Sequence, residues 1–142
     1  MKTTDPKQVH DKSLWPDGPW KAEPDRGDWE EQGYACSIRR MPLSGHLCGY
    51  VGVPQGHPWF GADYNLLYDE CSVHGALTFS GPLPDADPDL WWVGFDCAHM
   101  SDFSPGYNYE WNKGTYRGWD FVEGEVIEAE EPVGLVEAVF PV

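Results

Sequence analysis

The chain has 142 residues with 24 acidic and nine basic side chains, a formal net charge of −15 that disfavours binding to the phosphates of DNA or RNA. Its 41% hydrophobic and 15% aromatic content, eight tryptophans included, excludes global disorder, and the length suits one domain with a real core. Sixteen glycines and 13 prolines point to short elements and many turns rather than a helical bundle.

In chain order, residues 1–33 are polar and rich in Pro, Gly and charge, and read as an extended N-terminal arm held down by Trp15, Trp20 and Trp29. The segment 34–112 reads as a β-rich core. Strands are expected at "YACSIRR" (34–40), "HLCGYVGV" (46–53), "SVHGALTFS" (72–80) and "LWWVGFDCA" (90–98), runs of β-branched and aromatic residues bounded by turn residues. "PQGHPWFGADYN" and "HMSDFSPGYNYEWNKG" read as long loops of the kind that carry function. From Thr115, a plausible N-cap, a helix is expected over 115–131. Trp119, Val122, Val126 and Ile127 lie near one stripe, and Pro132 ends it before a tail at 132–142. The order of elements predicts an α+β fold, a small, mostly antiparallel β-sheet with a C-terminal helix and long loops.

Four cysteines at 36, 48, 71 and 97 form no CxxC pair, so a zinc ribbon or redox motif is unsupported, and small buried hydrophobes are the expectation for them. The N-terminus has no apolar signal-peptide core and no stretch approaches 18 apolar residues, so the expectation is a cytosolic protein with no membrane span.

One count organises the chemistry. The 72 residues from Met41 to Asn112 contain no Lys or Arg, yet hold His46, His57, His74 and His99. An anion handled there must be met by histidines, N–H groups, or the flanking Arg39, Arg40 and Arg117. Period-2 geometry puts Trp91, Val93, Phe95 and Cys97 on one face of the last strand and Trp92 and Asp96 on the other. It likewise pairs His74 with Thr78, so that His74, Thr78, Trp92 and Asp96 could line one concave surface, completed by His99 and Asp102. Two chemistries stay open. His57, His74 and His99 with Asp96 could hold a divalent metal, although no standard metal motif is present. Alternatively, no cofactor is required: one histidine serves as base and another as acid, each tuned by an aspartate.

Several segments taken together, "CGYVGVPQGHPWFGADY", "VHGALTFSG", "WWVGFDCAHMSDFSP" and "YRGWDFV", resemble a family of small, mostly uncharacterised proteins encoded by tailed phages and prophages. The resemblance covers about residues 18–128. The family pattern has Gly where this chain has Ala76 and Ser101, and its helix continues where this chain has Pro132. Positions that keep the pattern include Arg40, Tyr50, His57, His74, Thr78, Trp92, Asp96, His99, Asp102, Tyr116, Arg117 and Asp120. The resemblance implies a functional site and an accessory, anti-defence setting in the host cytosol, but names no reaction.

The combined expectation is a protein acting on a small nucleotide-like ligand by His-dependent phosphodiester hydrolysis. His74 and His99 are the acid and base, oriented by Asp96 and Asp102. Arg40, Tyr50, His57, Thr78, Trp92, Tyr116 and Arg117 contact the ligand. Two alternatives stand beside it: a non-catalytic sponge for the same ligand, and an acidic inhibitor or DNA mimic of a host protein, suggested by seven unrelieved acidic residues between Asp120 and Glu137.

Overall fold

A central strand can be apolar on both faces only if both faces are covered, and Leu47–Val53 (β4) is buried at all seven positions. In a computed structural model, which describes residues 2–3, 7–67, 70, 73–107 and 112–127, this strand lies inside a six-stranded sheet. The strands are Lys2–Thr3 (β1), Arg26–Glu31 (β2), Tyr34–Arg40 (β3), β4, Phe79–Gly81 (β5) and Trp91–Asp96 (β6). Their order is β1-β2-β3-β4-β6-β5, and every pairing is antiparallel. One helix, Trp119–Ile127 (α1), packs across β3 and β4, so the fold is α+β as expected. No helix among the described residues is long and apolar enough to cross a membrane.

The helix side holds the main core: Ile38, Leu47, Val51, Val93, Phe95 and Cys97 of the sheet against Val122 and Val126 of α1. Close approach needs Gly49, where a Cβ would sit 2.7 Å from Val126 and 2.8 Å from Phe95. The opposite face carries a smaller cluster of Cys48, Tyr50, Leu83 and Trp92. A Cβ on Gly94 would come within 2.4 Å of the Tyr50 ring, so the Tyr50 side chain lies where that glycine has none. The loop after β5 is strapped over this face by Arg26, which donates to the Asp85 carbonyl at 2.6 Å, and by Arg39, which donates to the Pro84 carbonyl.

Two expected elements change. The run 72–80 is a strand only from Phe79: residues 74–75 form a turn, and Gly75 and Ala76 take φ of +68° and +67°, which breaks an extended chain. The helix begins at Trp119 rather than Thr115. Thr115 instead bridges Asp102 in a short parallel pairing, its carbonyl accepting from Phe103 and its N–H donating to Ser101. Residues 128–131 of the expected helix, the tail 132–142 and Cys71 lie outside the described residues.

The N-terminal arm is more regular than its composition suggests. It contains β2, joined to β3 through Gln32 and Gly33 at φ +54° and +84°, the left-handed pair a two-residue hairpin turn requires. It is pinned by Asp25, which has no exposed side-chain surface. Asp25 accepts from the N–H groups of Val9 and His10, from Lys12 Nζ at 2.7 Å and from Arg40 Nε at 2.8 Å. Burial pushes this carboxyl up, but Lys12, the two N–H groups and Arg40 outweigh it and hold it below its ordinary value. Asp25→Ala, which strands two buried cations, is expected to cost about 3–5 kcal/mol in urea-unfolding free energy. A loss below about 1 kcal/mol would show that the arm is anchored elsewhere.

Candidate functional site

Three chain segments meet at one carboxylate. The first is the left-handed turn at His74–Ala76, the second the turn His99–Asp102 just after β6, and the third the stretch Tyr116–Gly118 that leads into α1. Asp102, with no exposed side-chain surface, accepts from His74 Nε2 at 2.8 and 2.9 Å, from His99 Nδ1 at 2.9 Å, from the His99 backbone N–H at 3.0 Å and from Arg117 Nε at 3.0 Å. Burial raises this carboxyl, but the His99 N–H, the two imidazoles and Arg117 reverse the effect and bring it down to about 2. Asp102 is therefore a fixed anion at any physiological pH.

The geometry sets the ring tautomers, because an ionised carboxylate only accepts. His74 donates through Nε2 and keeps Nδ1 bare; His99 donates through Nδ1 and keeps Nε2 bare. The two rings stand edge to face at 5.2 Å between centroids. Asp96 Oδ1 lies 3.7 Å from His99 Nε2. Phe121 meets the His74 ring at 5.3 Å and sits under the Arg117 guanidinium at 5.1 Å. His99 and Arg117 are partly exposed, so the cluster is open to solvent on one side.

Gly75 explains how His99 fits. A Cβ there would lie 2.1 Å from His99 Cε1, so the ring rests directly on the glycine backbone. Ala76 also adopts the left-handed conformation, which a residue with a Cβ enters only under strain.

Of the expected site residues, His74, Asp96, His99, Asp102 and Arg117 come together; the others do not. Arg40 is 2% exposed and spends its guanidinium on Asp25, the carbonyls of Pro24 and Gly45, and the Tyr116 hydroxyl. Tyr116 donates to Glu23 at 2.6 Å, so both residues brace the arm. His57 is buried, accepts the Trp59 N–H at 2.9 Å and packs edge-on against Tyr34 and Trp59, which makes it a turn former. Thr78 is exposed beside β6, to which its N–H donates. Tyr50 and Trp92 belong to the smaller cluster on the far face of the sheet. The concave surface expected to join Trp92 to His74 does not form, because residues 72–78 are not a strand.

Two groups outside the expected catalytic and ligand-binding set lie close to the site. His46 hydrogen-bonds Ser44 Oγ through Nδ1 at 2.6 Å; burial lowers its pKa, against the opposing pull of Asp96 and Asp102 close by. Its signal was topological: it precedes β4, whose Leu47 carbonyl accepts the Cys97 N–H at the end of β6. Glu125 of α1 receives the His74 backbone N–H, and burial raises its carboxyl despite that bond.

His74, His99 and Asp102 also offer three ligand atoms within 4.8 Å of one another, a set able to hold a divalent metal. Metal binding would require both rings to surrender the N–H groups that now meet Asp102, beside the Arg117 cation. The donor arrangement therefore suits protons better than a metal. Among the described thiols, burial raises Cys36 and Cys48 to about 12 and Cys97 higher still, which suits core packing rather than nucleophilic attack. A cavity of about 440 Å³ between Leu14, Trp15, Phe103, Pro105 and Tyr107 is lined by none of the histidines.

No protein-family model, no curated protein and no solved structure matches the chain.

The left-handed turn is directly testable. Gly75→Ala is expected to displace the His99 ring and destabilise the fold by about 1–3 kcal/mol, whereas Ala76→Gly relieves backbone strain and stabilises it by about 1 kcal/mol. Urea titrations showing the same sign for both substitutions would contradict this geometry.

Proposed function

We propose that His74, Asp102 and His99 form a metal-independent acid–base pair that cleaves a phosphodiester in a small nucleotide-like ligand. The observation that supports it is the single buried carboxylate that fixes two imidazoles through opposite nitrogens and leaves one bare nitrogen on each. One neutral ring takes the proton of an attacking water or ribose hydroxyl; the other, protonated, gives its proton to the departing oxygen as the P–O bond breaks. Asp102 keeps its charge throughout and holds both rings in register, as the aspartate does in a hydrolase triad. Arg117 uses Nε on Asp102, and its two Nη groups make no hydrogen bond among the described residues, so they suit a phosphate oxygen. The buried, unactivated state of the described thiols Cys36, Cys48 and Cys97 favours general acid–base chemistry over a covalent cysteinyl-phosphate route. The resemblance to phage proteins makes a host nucleotide signal the natural substrate.

The test is turnover of a panel of cyclic mono- and dinucleotides, with and without chelator. We expect hydrolysis of at least one member, insensitivity to chelator, and a loss on the order of 10²–10⁴-fold in kcat for His74→Ala and His99→Ala. Saturable binding without turnover would replace catalysis by sequestration, and abolition by chelator would restore the metal reading.

A further inference from the structure

A hollow of about 440 Å³ lies where the N-terminal arm meets the loop after Asp102. Leu14, Trp15 and Pro16 of the arm form one wall, and Phe103, Pro105 and Tyr107 of the loop form the other. Both walls are held from behind. The Phe103 ring packs on Trp20 at 5.2 Å, and the Trp20 indole N–H donates to the Pro16 carbonyl at 2.8 Å. The buried Asn112 donates to the carbonyls of Ser104 and Tyr107 and accepts the Ser104 N–H. Gly45 lets the walls meet, since a Cβ there would press on Trp15 Cη2 at 3.0 Å and on Pro105 Cδ at 3.2 Å. The hollow is preformed, so an occupant need not order it.

Leu14 is 96% exposed on its rim. Trp15 is partly buried, yet it stacks on no ring and its indole N–H donates to nothing among the described residues. An apolar surface of this kind on an otherwise polar chain is the mark of a contact face. Three modes of peptide docking compete for it. A strand needs an open sheet edge, and this hollow is built from loops. A helix needs a long groove for anchors spaced along one face, and this is a short slot. A polyproline II segment needs only a slot between aromatic and proline rings, and its unpaired carbonyls accept from an unspent indole N–H. Trp15, Pro16, Phe103 and Pro105 supply both.

Charge selects the source of the segment. Residues 128–142 of this chain hold four glutamates and no base, and a second copy of the chain carries the same net −15, so both are repelled. The neighbouring charges, Asp11 and Asp17 against Lys21 and Lys113, nearly cancel, which leaves the field of the whole chain to attract basic flanks. We propose that this hollow docks a proline-rich segment with basic flanks from a partner protein, with the Trp15 N–H donating to a peptide carbonyl. None of the lining residues belongs to the histidine cluster, so the proposal stands whether or not the histidines catalyse.

The probe is a run of prolines flanked by arginines, titrated into the ¹⁵N-labelled full chain while the Trp15 indole N–H resonance is followed. Two control peptides change one property each: alanines in place of the prolines keep the charge, and glutamates in place of the arginines keep the conformation. We expect a saturable downfield shift of the Trp15 resonance with the first peptide and weaker binding of both controls. Trp15→Phe, which keeps a ring and removes the donor, should weaken binding about tenfold. Leu14→Ser, at an exposed position the fold does not need, should weaken it about threefold. A Trp15 resonance unmoved at saturating peptide, equal binding of either control, or unchanged affinity in both variants would overturn the proposal. A dimer in sedimentation that Leu14→Ser dissociates would assign the face to a second copy and overturn it as well.

Discussion

Everything distinctive about the histidine cluster of this molecule hangs on the charge of Asp102. A carboxylate stripped of water is costly unless it is fully hydrogen-bonded, and Asp102 is met by four donors from three separate segments. That demand gathers the His74 turn, the His99 turn and the entry to α1 into one cluster. It also dictates which nitrogen of each ring carries the proton. Structure and proposed chemistry thus share a cause: the bonds that make burying the charge tolerable are the ones that aim the imidazoles.

A second buried charge, Asp25, does the corresponding work at the other end of the sequence, with a different outcome. Its partners Lys12 and Arg40 are nearly or fully buried, and every donor is spent on protein. Around Asp102, His99 and Arg117 keep solvent access and unspent atoms. Two aspartates of similar burial are therefore distinguishable by their donors: one is closed and holds the arm on the sheet, the other is open on one side and able to act. Arg40 and Tyr116, polar and expected to contact a ligand, belong to the closed network, so polar character alone does not separate a brace from a site residue.

Much of the sheet was legible because β3, β4 and β6 are apolar runs between turn residues, and parity along β6 correctly sent Trp91, Val93, Phe95 and Cys97 to the core. β2 was hidden because "RGDWEE" has no β-branched residue; its strand state comes from the hairpin turn at Gln32–Gly33 and from burying Trp29. The opposite error at 72–80 arose because Gly75-Ala76 looks harmless in an apolar run, while its left-handed backbone turns His74 away from the sheet and toward Asp102. The histidine–aspartate grouping survived this error because His99 and Asp102 share a turn and His74 reaches them from a loop. The pairing with Trp92 did not survive, since it depended on strand periodicity alone. His46 was visible as one of four histidines in a cation-free window, but its nearness to the site needed the β4–β6 pairing.

The claim that one buried anion sets two imidazoles in opposite tautomers is tested most directly by ¹⁵N NMR of the histidine rings, above the ordinary histidine titration range. The account predicts the Nε2–H form for His74 and the Nδ1–H form for His99, with both preferences lost in Asp102→Asn. Rings in the same tautomer, or preferences unchanged by Asp102→Asn, would contradict it.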